Sequence, residues 1–385
     1  MMTTERRSLV TPWCDFWLLG GASLVVWLVI VGTSPFRDHV WAIDHHFKNL
    51  AALSATLSLV VNFPHFMASY KLAYSQGLAF MRRWAFQLLV VPVGLFVILV
   101  QGYLSFESGS KELGLGLQSL LNYLGLYGGN LGDLTSGAVI CGLMINVMYI
   151  TVGWHYSKQV YGCMMVYAAF DDYPLTPWQR RLLRWTNHGV WAVNFFYLNS
   201  FAATRDYYGL KYLNLGFSNW FYYGAQALFV GLFVAAFVFV FVRNYRLHGK
   251  RPSAQFLVPF IAFPIWWVPP LLHNDFMSFV APFFHSLQYL PFVFKVEKSR
   301  LLAHGKNLAL WGTLLPLSFV VTGFLFFELI PNQLDLAYGF YDLNKAWYCF
   351  AAFHVFINVH HYFLDNAIWR LQDSRLKEHL GLSKT

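Results

Sequence analysis

The stretch from Ala346 to Arg370, AWYCFAAFHVFINVHHYFLDNAIWR, reads as a helix apolar and long enough to cross a bilayer, yet it carries His354, His360, His361 and Asp365. At about 100° per residue, His361 lies about 20° from His354 and about 40° from Asp365. Asn358 falls on the same stripe, and His360 points roughly a third of a turn away. One face of a greasy helix therefore presents two imidazoles, a carboxamide and a carboxylate. Such groups are costly in hydrocarbon unless they find partners, so they face a bundle interior and mark a functional site. Imidazole is the commonest metal ligand and suits iron, zinc and copper. Asp365 would complete the ligand set and act as the catalytic carboxylate.

The rest of the chain must supply whatever faces that stripe. Of 385 residues, 57% are hydrophobic, 19% aromatic and only 12% charged, far from the balance of a soluble domain. Apolar runs of about 20 residues recur along nearly the whole length, the length that spans a bilayer. The expected fold is an all-α, polytopic integral membrane bundle forming a single transmembrane domain over 1–385. Ten spans are predicted: Phe16–Ser34, Lys48–Ala68, Trp84–Leu104, Ser136–Tyr156, Thr186–Ala203, Trp220–Val242, Phe256–Leu272, Phe276–Phe294, Leu308–Ile330 and Ala346–Trp369. Pro259, Pro264, Pro269 and Pro270 predict a kinked or broken seventh span. Residues 105–135, rich in Gly and Leu, read as an irregular outer or re-entrant segment, and 370–385 as a cytoplasmic tail.

Basic residues orient the bundle. With both termini cytoplasmic, 21 of the 27 Lys and Arg residues fall on the inner face, the asymmetry of the positive-inside rule. The same distribution accounts for the net charge of +9 and points to the membrane surface, not nucleic acid, as the basic partner. In a bacterial cell this is a multi-pass protein of the inner membrane. Cys14, Cys141, Cys163 and Cys349 form no CxxC or CxxCH pattern, so neither a Cys-rich zinc site nor attached c-type haem is expected. No G-x-S-x-G, P-loop or G-x-G-x-x-G signature appears.

On this topology the histidines sort by depth. His65 closes the second span in NFPHF, and His155 closes the fourth in GWHYSKQVYG. His188 opens the fifth, and His285 lies in the eighth with Gln288 on the same face. Together with His354, His360 and His361 they share the cytoplasmic half of the bilayer. The predicted metal ligands are His65, His155, His285, His354, His360, His361 and Asp365, with His188 the weaker candidate. Asn62, Gln288 and Asn358 are expected to hold the rings in place, as the outer partners of metal-bound histidines do. The outer His39, His45, His46 and His273 read as a wet loop, and Lys158 as an inner-surface charge.

The His360–His361 pair near the cytosolic end of a late span, with more histidines at its depth, resembles the membrane fatty-acid desaturase, hydroxylase and alkane-monooxygenase superfamily. The first HxxxH box and the second HxxHH box of that group are absent. The resemblance implies one or two non-haem iron ions, an electron donor and oxidation of a hydrophobic, lipid-like substrate. Zinc or copper would suit the same ligands. Facing histidines could instead ligate b-type haem in an electron-transfer protein. A proton- or ion-coupled transporter is the third class that such residues serve.

Overall fold

The computed structural model describes residues 7–36, 39, 53, 56–126, 131–201, 206–268, 275–338 and 348–382. Among the described residues the regular structure is helical apart from a two-residue antiparallel ladder pairing Asp206 with Lys211 and Tyr207 with Leu210. Its main helices are α1 (Pro12–Phe36), α2 (Asn62–Tyr74), α3 (Phe86–Phe106), α4 (Glu112–Tyr123), α5 (Ser136–Phe170) and α6 (Pro177–Ser200). They continue as α7 (Asn219–His248), α8 (Ala254–Trp267), α9 (Asp275–Ala303), α10 (Leu308–Ala337), α11 (Tyr348–Ile368) and α12 (Ser374–Leu380).

Five of these, α1, α3, α5, α7 and α10, are long and apolar enough to cross a membrane. The helix α11 has 21 residues, about 31 Å at 1.5 Å each, but its His, Asn and Asp residues lower its hydropathy. The first, third, sixth and ninth expected spans coincide with apolar helices. Others differ in extent. The fourth runs on through Ser157 to Phe170 because Val160, Cys163, Met164 and Tyr167 continue its buried face. The fifth begins at Pro177, where Thr176 and Gln179 form a capping box. The seventh runs unbroken through Pro259 and Pro264 as α8 and stops at Trp267, while Pro269 and Pro270 lie outside the described residues. The second begins among residues outside the described set, and α2 continues to Tyr74.

The segment expected to be irregular contains α4, which at 12 residues is about 18 Å long and too short to span. Its Leu113, Leu115 and Leu120 are exposed. The tail also folds: α12 starts on an Asp373 cap and buries Leu376 and Leu380. Ser299 and His379 hydrogen-bond at 3.0 Å to fasten it to α9.

Four apolar helices contain a wide π turn, at Trp17–Gly21, Phe86–Val90, Phe237–Val242 and Leu325–Leu329. A π turn leaves carbonyls without an intrahelical donor. In three of the four, polar side chains from neighbouring segments fill that need. Gln288 donates to the Leu19 carbonyl at 2.6 Å, and Gln179 donates to Phe239 at 2.7 Å. Tyr74 donates to Leu88 at 2.7 Å, and Tyr173 to Val240 at 3.0 Å. Gly20, at φ +152°, lets α1 lie against α8, where a Cβ would meet Val258 Cγ1 at 2.7 Å and Ala262 Cβ at 2.8 Å. The bundle is thus cross-tied by hydrogen bonds as well as by packing. At its centre α11 packs against α2, α3 and α5, and α9 against α2 and α5.

Candidate metal centre

Four helices each deliver one histidine to a single point. His65 comes from α2, His155 from α5, His285 from α9 and His361 from α11, and their ligand atoms all lie within 4.8 Å of one another. The rings form a closed square: His65–His361 centroids stand 4.4 Å apart, His361–His155 4.9 Å, His155–His285 4.9 Å and His285–His65 5.2 Å. Each ring is turned edge-on to the next, at interplanar angles of 78–85°. Asp365, one helical turn beyond His361, puts Oδ2 at 3.5 Å from His361 Nε2 and 3.6 Å from His155 Nε2. None of the five residues is more than 7% exposed.

The chemistry of this square follows from what its atoms lack. His65 Nε2, His155 Nε2, both nitrogens of His285 and of His361, and Asp365 Oδ2 are buried without a hydrogen-bond partner. Each such atom costs about 1–3 kcal/mol if left unmatched, so a set this large calls for a common partner. A metal ion matches it. Atoms bound to one ion at about 2.1 Å can lie at most about 4.2 Å apart, so side chains whose ligand atoms lie within 4.8 Å of one another would need to move inward to share an ion. Four imidazoles and a carboxylate suit iron, copper or zinc.

The surroundings hold the ligands in orientation. The Ser286 hydroxyl donates to Asn62 Oδ1 at 2.7 Å, so its oxygen accepts from His65 Nδ1 at 3.1 Å. His65 Nδ1 also faces the Asn62 carbonyl at 3.3 Å. These bonds fix the proton on Nδ1 and leave the Nε2 lone pair facing the square. Asp365 Oδ1 accepts from the Tyr289 hydroxyl at 3.0 Å. The Tyr289 oxygen in turn accepts from Trp369 Nε1 at 2.8 Å and meets the Ser69 hydroxyl. The His285 ring lies flat on Tyr156, centroids 3.7 Å apart.

Several residues expected here lie elsewhere. His354 is two helical turns away along α11, its Nδ1 on the Phe350 carbonyl at 2.9 Å and its ring against Phe327 and Tyr208. His360 uses both nitrogens, accepting from Tyr70 at 2.8 Å and donating to the Gln87 carbonyl in a π turn at 3.2 Å. His188 stacks on Trp154 and bonds Ser157 at 2.9 Å. Of the predicted supports Asn62 is in place, whereas Gln288 reaches α1 and Asn358 turns back to the His354 carbonyl at 2.8 Å. His39 is exposed, and His45, His46 and His273 lie outside the described residues. Sequence reading passes over Tyr289, Ser286, Ser69, Tyr156 and Trp369. Tyr289 does stand one turn after His285, a spacing that could have flagged it.

A cavity of about 560 Å³ opens at Lys158, Arg184 and Arg370 and ends at His155, Asp365 and Tyr289. It gives the square an access route along one edge. Comparison with protein-family models, with characterised proteins and with solved structures finds no match.

Proposed function

We propose that the protein is a multi-pass membrane metalloenzyme, a non-haem iron oxygenase that hydroxylates, desaturates or oxidatively cleaves a lipid-soluble substrate. The observation that carries this reading is the convergence of His65, His155, His285, His361 and Asp365 with unmatched buried lone pairs. Iron held by neutral imidazoles and one carboxylate supplies dioxygen activation. The chain contributes the rest. Asn62 and Ser286 orient His65, and Tyr289 anchors Asp365. Phe66, stacked edge-on to His361 at 4.8 Å, and Tyr156 wall the square with aromatic surface and keep water out. The cavity from the basic face admits a substrate and brings a soluble electron donor within reach.

The same square argues against b-type haem. A porphyrin already occupies four equatorial positions of its iron and needs only facing axial ligands, whereas here four imidazole nitrogens crowd within 4.8 Å. The topology that goes with the proposal is ten spans with both termini cytoplasmic, carried by the 21 of 27 basic residues assigned to one face.

Elemental analysis of protein purified in a neutral detergent tests the reading. Iron bound to wild type and absent from His361→Ala is the expected result, with reductant-dependent dioxygen uptake in the wild type alone. Full metal loading in His361→Ala, or active wild type without metal, would turn the case over to a transporter.

A further inference from the structure

The cavity beneath the square has an unusual charge pattern. Three cations from three helices stand at its mouth: Lys158 on α5, Arg184 on α6 and Arg370 just past α11. Among the described residues, none of them has a carboxylate within ion-pair distance; the only acid lining the cavity is Asp365, buried at its floor. Aromatic rings hold the three instead. Arg184 lies 4.9 Å over Tyr161, Lys158 5.4 Å over Tyr362, and Arg370 4.2 Å over Trp84. A ring face attracts a cation and restrains it but carries no net charge. Lys158 Nζ and Arg370 Nε each also donate to Asn366, to its Oδ1 and its backbone carbonyl, at 3.3 Å. These acceptors are neutral, so the cations are positioned without being neutralised, and an entering anion displaces no internal carboxylate.

We propose that this cavity binds the anionic head, a carboxylate or phosphate, of the protein's substrate. That the anion belongs to the substrate rests on the metal reading above; the anion pocket itself rests on the cations. Spacing adds a constraint. Lys158 follows His155 by three residues on one helix, a rise of about 4.5 Å. An anion seated at Lys158 puts the next few atoms of its molecule beside His155 and Asp365. The reacting atom is then a few bonds from the charged head, not in the middle of a long chain. Arg supplies two parallel donors and Lys a point charge, a combination suited to an oxyanion.

Calorimetric titration of wild type in dodecyl maltoside with inorganic phosphate and with dodecyl phosphate tests the pocket. Both probes should bind. In Lys158→Gln/Arg370→Gln, binding should weaken by about ten- to a hundredfold, the loss of charge-assisted contacts. The conservative pair Lys158→Arg/Arg370→Lys should retain it, which separates lost charge from lost fold. Arg82→Gln, an exposed cation on the same face outside the cavity, should bind as wild type does. Dodecyl phosphate at least tenfold tighter than phosphate supports a lipid headgroup, and equal affinities support a soluble anion. No binding in wild type, unchanged binding in the double variant, or equal weakening in Arg82→Gln would overturn the pocket. Repeating the titration after chelation, with metal content measured, keeps the two proposals apart. Anion binding that persists in protein shown never to hold metal would leave the pocket and end the metal reading.

Discussion

His360 and His361 are neighbours in sequence with opposite circumstances. His361 has two buried ring nitrogens and no hydrogen bond, whereas His360 spends both of its nitrogens on Tyr70 and Gln87. Replacing them should therefore separate metal binding from stability. In His361→Ala we expect metal per chain to fall to background. In His360→Phe we expect metal retained and stability lowered by about 1–3 kcal/mol, since Tyr70 and the Gln87 carbonyl lose partners; thermal unfolding with elemental analysis reads both. Tyr289→Phe occupies the ground between. It removes the hydroxyl that holds Asp365 and accepts from Trp369, so metal affinity measured by chelator competition should drop about 10- to 100-fold. An unchanged affinity would mean that Asp365 needs no anchor. Much of this was legible in the residues: His361 and Asp365 share a helix face, and His65, His155 and His285 share its depth. What the stripe does not encode is reach. His354 lies at nearly the same angle as His361 but about 10 Å further along the axis, beyond any shared ion.

At the scale of elements, the π turns are what the sequence conceals. Nothing in FQLLV or WLLGG distinguishes a wide turn from an ordinary one by composition, because the difference is decided by donors arriving from other helices. Gln288 illustrates the point: its spacing suggests support for His285, yet the unmatched Leu19 carbonyl at 2.6 Å claims it. Helix ends were better marked, as the Thr176 capping box shows, although apolar runs alone placed that start too late. Gly20 is the element-scale test. A Cβ there would meet Val258 and Ala262 at under 3 Å on a backbone at φ +152°. Gly20→Ala should destabilise the protein by about 1–3 kcal/mol, and Gly32→Ala, which has open space around it, should cost far less. Equal melting temperatures for the two variants would show that α1 and α8 do not meet as described.

For the whole molecule, the reading to test is that 21 of the 27 basic residues share one membrane face. In a background without the native cysteines, Arg246→Cys should react with a membrane-impermeant thiol reagent only from the cytoplasmic side. Lys111→Cys should react only from outside. Reaction of both from one side would remove the odd number of crossings between them. The four-helix origin of the square has one more consequence, in the order of synthesis. The ribosome delivers His65, His155 and His285 first, and His361 with Asp365 only after a further interval of roughly 4 to 15 s at about 5–20 residues per second. During that interval a nascent chain can offer three imidazoles and no carboxylate. On the metal proposal, choice among competing ions is completed by the arrival of α11, and a chain cut before Tyr348 should insert its earlier helices yet discriminate poorly among metals.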